Sequence, residues 1–303
     1  MLVRVGNQMR RKQQVQVDSL NDDGSVLRAI RLAASSVHGP IFGPLDLALA
    51  PGTLCIVHGT SGSGRSALLL ALAGRLRRVT GGLEIAGYDA DTELSAVLQC
   101  AAVGRIGQYA APDDRLTVGE LIGERAVQDG MSIRQAVERA EQIEDFLGYR
   151  IDRGALYQEL PGAEKAMLCA ALAMLRPAAV IVVDGVDHDV PAHHAATLLA
   201  SLQKLATMDN NVIVVSASNA NAAPVGAVRV HLVPTKVTRI HKIEEPPVTI
   251  DEAIEEPEVI APLDPDQDEV VVATVGEPTQ AEPTQAKPAD AAGGDVVVNE
   301  EEE

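Results

Sequence analysis

Aromatic side chains are nearly missing from this chain. Its 303 residues hold no Trp, two Phe (Phe42, Phe146) and four Tyr (Tyr88, Tyr109, Tyr149, Tyr157). A base-stacking nucleic-acid platform needs more of them. A basic surplus is missing too. Residues 244–303 carry 19 Asp/Glu against one Lys, a net −18, while the other 243 residues balance 24 basic against 24 acidic side chains. The acidity therefore belongs to a tail, and no nucleic-acid partner is expected. Three cysteines, Cys55, Cys100 and Cys169, stand far apart in apolar contexts with no C-x-x-C spacing. They read as reduced, buried thiols of a cytosolic protein rather than a disulfide or metal framework. No apolar run approaches the ~18–20 residues of a membrane-spanning helix. The N-terminus runs into Arg10-Arg11-Lys12 with no apolar stretch behind it, so no signal peptide is expected. The reading is a soluble cytoplasmic chain whose membrane role, if any, comes through a partner.

What is present centres on Gly59-Thr60-Ser61-Gly62-Ser63-Gly64-Arg65-Ser66. An apolar run, Leu54-Cys55-Ile56-Val57, precedes it as a short buried strand, and Ala67 to Ala73 follows as a buried helix. Strand, glycine-rich turn and helix form the setting of a phosphate-binding P-loop. Small residues let successive backbone N–H groups face phosphate oxygens, and the helix start adds unpaired donors. The pattern G-x-x-x-x-G-K-[ST] is met except that Arg65 replaces Lys. Arg keeps the charge but is bulkier, planar and forked. Ser66 stands where a hydroxyl ligates Mg²⁺. Alone, the stretch also fits a Gly/Ser turn that binds nothing.

Along the chain, residues 1–25 read as a flexible polar arm. Residues 26–50 read as short strands, with clean alternation over Leu45–Leu49. Further strands are expected at 83–86 and 101–107, the latter ending at Gln108. Residues 117–147 read as two helices broken near Asp129-Gly130, the second capped by Ser132. On it Ile133, Ala136, Val137, Ala140, Ile143 and Leu147 share one face. A helix over 162–175 leads to Ala178–Asp184, an apolar run ending in an acid, as in a central parallel strand. A helix over 191–207, a strand at 212–215 and strands at 227–233 and 236–242 complete the folded part. From Glu244 on, eight prolines, many carboxylates and a tandem Glu-Pro-Thr-Gln-Ala leave too little apolar surface to fold. Domain organisation is thus an arm over 1–25, one nucleotide-binding domain over 26–243, and a disordered acidic Pro-rich tail over 244–303.

A P-loop needs a second acid for Mg²⁺ at the end of a neighbouring strand, and Asp184 is placed for it. With these residues together, the chain from about 26 to 243 resembles the ATP-binding cassette (ABC) family, the nucleotide-binding subunits of ABC transporters. Pro51-Gly52 and the P-loop look like that family's opening segment, and Gly81-Gly82-Leu83-Glu84-Ile85-Ala86-Gly87 like its continuation. Gln108 followed by Leu116–Leu121 looks like the Q-loop and the run after it. Leu160-Pro161-Gly162-Ala163-Glu164-Lys165 occupies the place of the LSGGQ signature, and Asp184 that of the Walker B acid.

The resemblance implies an α/β P-loop NTPase core with a mostly parallel sheet, plus antiparallel β and helical subdomains. It implies ATP and Mg²⁺ as cofactors. Gly59, Thr60, Ser61, Gly62, Ser63, Gly64, Arg65, Ser66 and Ala67 would hold the phosphates, and Ser66, Gln108 and Asp184 the metal. It implies membrane permease subunits and a second cassette, identical or different, as partners, and a peripheral place at the membrane.

The departures are equally specific. The family's catalytic Glu is here Gly185, and Ser216-Ala217 stand in place of the switch-loop His. Pro161 replaces the signature Ser and Ala163 its second Gly. The adenine-stacking aromatic is absent, with His38 the nearest replacement and a plain loop histidine the preferred reading. Asp187, His188 and Asp189 follow Gly185 closely, but a solvated loop is the preferred reading there; His193 and His194 are expected on a helix and too distant. No residue is therefore assigned a catalytic role, and own-site hydrolysis is expected to be weak. Gly185→Glu with Ala217→His is expected to raise turnover. The alternative is a non-hydrolysing regulatory or structural module of the same fold. A different P-loop enzyme, such as a kinase, leaves the 158–177 segment unexplained.

Overall fold

The computed structural model describes residues 20–107 and 109–234, and the backbone of 238–242. Gln108 and the tail 244–303 lie outside the described residues, as does the arm before residue 20.

The order of elements is β1 (Leu27–Ser36), β2 (Gly39–Leu49), β3 (Leu54–Gly59), α1 (Arg65–Leu72), β4 (Val79–Ile85), β5 (Tyr88–Asp89), α2 (Leu94–Cys100) and β6 (Ala101–Arg105). There follow α3 (Val118–Asp129), α4 (Ile133–Leu147), a 3₁₀ turn (Tyr157–Glu159), α5 (Gly162–Ala173), β7 (Val180–Val183), α6 (Ala192–Met208), β8 (Val212–Ala217), β9 (Val228–Leu232) and β10 (Thr238–Lys242).

Two sheets result. The larger runs β10-β9-β3-β8-β7-β6, with every pairing parallel except β9 with β10. The smaller, β2-β1-β4-β5, is antiparallel. The continuous apolar runs of the central strands follow from burial on both faces. Leu54, Ile56, Ile181, Val183, Ile213 and Val215 face α3 to α6, where Leu121, Ile143, Leu168 and Leu202 complete one core. Cys55, Val57, Val180, Val182, Val212 and Val214 face the other way, onto α1 and the antiparallel sheet. Successive side chains alternate between the two cores because a strand has a period of two.

The helical part follows its local signals. Thr117 and Ser132 each form a capping box, with Glu120 and Gln135 returning to the cap backbone. Gly130 ends α3 in the left-handed conformation. Ala136, Ala140 and Ile143 are buried on α4 as expected, whereas Ile133 is 57% exposed in the first turn.

β6 is the edge of the larger sheet, and three arginines cover its backbone. Arg75 and Arg176 both donate to the Ala101 carbonyl, at 3.4 and 2.6 Å, and Arg125 donates to Val103 at 3.0 Å. Asp129 balances two of them, 2.7 Å from Arg125 and 3.3 Å from Arg176. A covered edge cannot template pairing with another chain.

Two expectations change. The arm over 1–25 does not extend to Ser25: Asn21 and Ser25 are buried, and Asn21 Oδ1 accepts from the Gly87 N–H at 2.8 Å. Residues 21–25 form a turn tied to the start of β1 because these short polar side chains satisfy the local backbone. The short strands over 26–50 are in fact one long antiparallel pair. Its alternation is blurred by a register shift between Ala29 and Leu32, with Arg31 at φ 48. Such a bulge adds one residue and turns the following side chains over.

Candidate nucleotide site

The loop leaves β3 at Gly59 and enters α1 at Arg65. Ser63 N–H donates to the Thr60 carbonyl at 3.2 Å, closing a turn, while Thr60 and Ser61 are exposed. Gly64 caps α1 in the left-handed conformation, with no side-chain cap and no acid in the first turn. The N–H groups of Arg65, Ser66 and Ala67 therefore open toward the loop with the positive end of the helix dipole behind them. Ser63 is 1% exposed, and its Oγ has no hydrogen-bond partner among the described residues. A buried hydroxyl left so, under a loop of open N–H groups, fits a site completed by phosphate oxygens.

Two strand ends complete the site. Ser66 Oγ donates to Asp184 Oδ2 at 2.6 Å, joining loop and β7. Asp184 is only 8% exposed, and its other oxygen accepts from Ser216 Oγ at the end of β8. The same Ser216 hydroxyl accepts from Gly185 N–H at 2.8 Å. Hydroxyl and carboxylate adjacent are the donor set of Mg²⁺, which takes one or two protein ligands plus phosphates. Among the described residues no cluster of three or more His, Cys, Asp and Glu competes for a metal. Gln108, the third expected ligand, lies outside the described residues.

The chain just after β7 and the end of β8 are each met by an arginine. Arg65 does not lie over the loop: its Nη1 donates to the Ala217 carbonyl at 2.5 Å. Arg105, at the end of β6, donates through Nε to the Asp184 carbonyl at 3.0 Å and through Nη2 to that of Gly185. Gly185 itself is at φ 63, and a Cβ added there would lie 3.6 Å from Arg105 Nη2. Below Arg105, burial first and then the Cys169 thiol, 3.4 Å from the phenol, push the Tyr157 phenol up, against a smaller pull down from Arg105.

The neighbouring candidates go elsewhere. Asp187 Oδ2 accepts from Ser218 N–H at 2.7 Å, and His188 faces solvent beside Asp189. His193 and His194 lie exposed on α6, and His38 is exposed in the turn between β1 and β2. Gly162 opens α5 directly under this segment: a Cβ on it would meet the His188 and Asp189 carbonyls at 2.5 Å. That close approach leaves no room for a side chain at Gly162. Sequence reasoning missed Arg105. Its signal was a lone charge in the otherwise apolar strand 101–106.

Residues 42–186 match a family model described as ABC transporter. The domain is an ATP-binding cassette of the ABC transporter family. The cassette is 28% identical over 173 residues to the lipoprotein-releasing system ATP-binding protein LolD 1 of Rhodopirellula baltica, spanning 56% of this chain and 76% of that one. It is 27% identical over 182 residues to the macrolide export ATP-binding/permease protein MacB of Chromobacterium violaceum, of whose length only 28% is covered. Among solved structures, the dimeric bacterial ABC transporter cassette MJ0796 aligns with a TM-score of 0.59 at 18% identity, over 72% of this chain and 99% of that one. The same cassette bound to ADP and Pi aligns equally well. The α/β P-loop fold expected from the sequence is thus the observed one.

Proposed function

We propose that this chain is the ATP-binding subunit of an ABC-type transporter, holding Mg-ATP and passing its nucleotide state to a membrane permease, with weak hydrolysis at its own site. The observation that carries the reading is the Ser66–Asp184 pair at the foot of an open P-loop, beside two positions, Gly185 and Ala217, that offer no base and no switch histidine. In such a site the loop N–H groups bind phosphate oxygens, and Ser66 with Asp184 holds the metal, which supplies charge neutralisation when bound. Arg65 swings from the Ala217 carbonyl to the phosphates. Arg65 and Arg105 stay protonated, so neither accepts a proton from water.

Closure of two cassettes on ATP is the state the permease would read. The permease surface we assign is the cleft between the segment after β6 and α3. It is lined by Ala110, Pro112, Glu124 and Gln128 in a volume of about 170 Å³. Tyr109 stands beside it 95% exposed, in a chain with few aromatics to spare. No helix among the described residues is long and apolar enough to cross a membrane, so membrane contact falls to the permease. The second reading, a non-hydrolysing regulatory module, is favoured by the arginine caps on both vacated catalytic positions.

Calorimetry with Mg-ATP tests the phosphate site. Arg65→Ala is expected to weaken binding by about ten- to a hundredfold, the worth of a charge-assisted bond. Arg65→Lys should retain most of it. Equal affinity in wild type and Arg65→Ala, or no binding by either, would refute the phosphate site.

A further inference from the structure

Arg105 is a half-buried guanidinium with no carboxylate partner among the described residues. It donates to two backbone carbonyls, those of Asp184 and Gly185, and it hydrogen-bonds the neutral Tyr157 phenol. A guanidinium partly withdrawn from water is ordinarily paired, because an uncompensated charge there is costly. The carbonyl dipoles and the phenol meet part of that cost, but neither brings a counter-charge. An anion is the missing complement.

The place where that anion would lie follows from the surrounding bonds. Ser66 of the loop holds Asp184, and Asp184 precedes Gly185 in the chain. The Ser216 hydroxyl ties the Asp184 carboxylate to the Gly185 N–H. Position 185 is therefore at the mouth of the phosphate loop, on the side of the metal pair. Its side-chain space is empty because it is glycine, and Arg105 Nη2 borders that space at 3.6 Å. In a hydrolysing cassette that space belongs to the base acting at the terminal phosphate; here a fixed cation flanks it. Gly107 runs along the same wall, with its Cβ position 4.0 Å from Asp184 Oδ2, so the end of β6 wraps the acid closely.

We infer that Arg105 is a terminal-phosphate ligand of this cassette, a specificity-determining residue that makes the site prefer a nucleoside triphosphate over a diphosphate and hold it. The inference rests on the nucleotide reading above and deepens it. Arg65 and Arg105 then approach the phosphate chain from the β8 and β7 sides. Arg65 serves di- and triphosphate alike from the loop, whereas Arg105 meets only the third phosphate. Loss of the base and gain of the cation act together: the site exchanges turnover for retention.

The test uses the full chain and calorimetry with Mg-ATP and Mg-ADP in parallel. Wild type is expected to bind ATP more tightly than ADP by about tenfold or more, from one added charge-assisted contact. Arg105→Gln should erase that ratio while leaving ADP affinity in place, which also reports that the site is folded. Arg105→Met, which keeps an extended side chain without the charge, decides the matter if the Gln variant fails to fold: its ratio should be lost as well, and a retained ratio refutes the assignment. Wild type that binds ATP and ADP equally, or a Gln variant with an unchanged ratio, overturns the inference and leaves nucleotide binding standing. Wild type that binds neither nucleotide overturns both.

Discussion

Arg105 Nη2 sits 3.6 Å from the point a Gly185 Cβ would occupy, so a guanidinium borders the position where the family resemblance leads one to expect a carboxylate. The sequence shows Gly185 at that position but not the cation beside it. The consequence is that the vacancy is chemically different from a simple deletion. Restoring the carboxylate does not restore its surroundings.

The first prediction concerns rescue. The sequence leads one to expect that Gly185→Glu with Ala217→His raises ATP turnover. The structure opposes this on two counts. Gly185 lies at φ 63, where a residue with a Cβ costs about 1–2 kcal/mol. A carboxylate built from that Cβ would pair with Arg105, and an opposite charge so close stabilises the ionised form and weakens it as a base. The double variant is expected to stay slow. Adding Arg105→Leu should raise its turnover if the ion pair is the obstacle. Steady-state phosphate release from the three proteins decides it, and brisk turnover by the double variant would show that Arg105 moves aside.

How far the fold was legible depended on how local its causes are. The capping boxes at Thr117 and Ser132 and the break at Gly130 are written in neighbouring residues, and α3 and α4 stand as expected. The buried strands β7 and β8 announced themselves as apolar runs. α2 over Leu94–Cys100 was not read, because a seven-residue helix with only Val97 and Cys100 buried has little periodicity to show. The strand–loop–helix from β3 to α1, and the meeting of Ser66 with Asp184, were legible from motif and order. The roles of Ser216 and Arg105 were not. Each acts across strands far apart in sequence, 32 residues separating Ser216 from Asp184 and 79 separating Arg105 from it.

The second prediction concerns the covered edge of β6. Asp129 is 11% exposed and answers both Arg125 and Arg176. Asp129→Ala leaves two largely buried guanidinium groups without their counter-charge. Breaking a buried pair from one side costs about 3–5 kcal/mol. The urea midpoint is expected to fall accordingly, with an unchanged m-value. A loss within about 0.5 kcal/mol, the range of ordinary surface changes, would show that the backbone carbonyls alone support these arginines.

The last prediction is about the thiols and alkaline pH. Burial pushes the Cys55 thiol up to about 12 and the Cys100 thiol up to about 11, from an ordinary 9.0. Both folded values are raised, so the neutral thiol is what the native state favours. The associated stability is complete below the unfolded value near 9 and is lost as pH rises through the folded values. Between those limits the unfolded chain has released protons that the native chain still holds. Stability therefore falls with pH, by up to about 1.4 kcal/mol per pH unit for each thiol. Urea midpoints at about pH 8 and about pH 10.5 should separate, and Cys55→Ala should reduce the separation by removing one thiol from the balance. At neutral pH the same burial keeps the thiolate scarce, so Cys55 and Cys100 should react with an aromatic disulfide reagent only in denaturant. Prompt reaction of the native chain at neutral pH would mean that the core around β3 opens far more often than its packing implies.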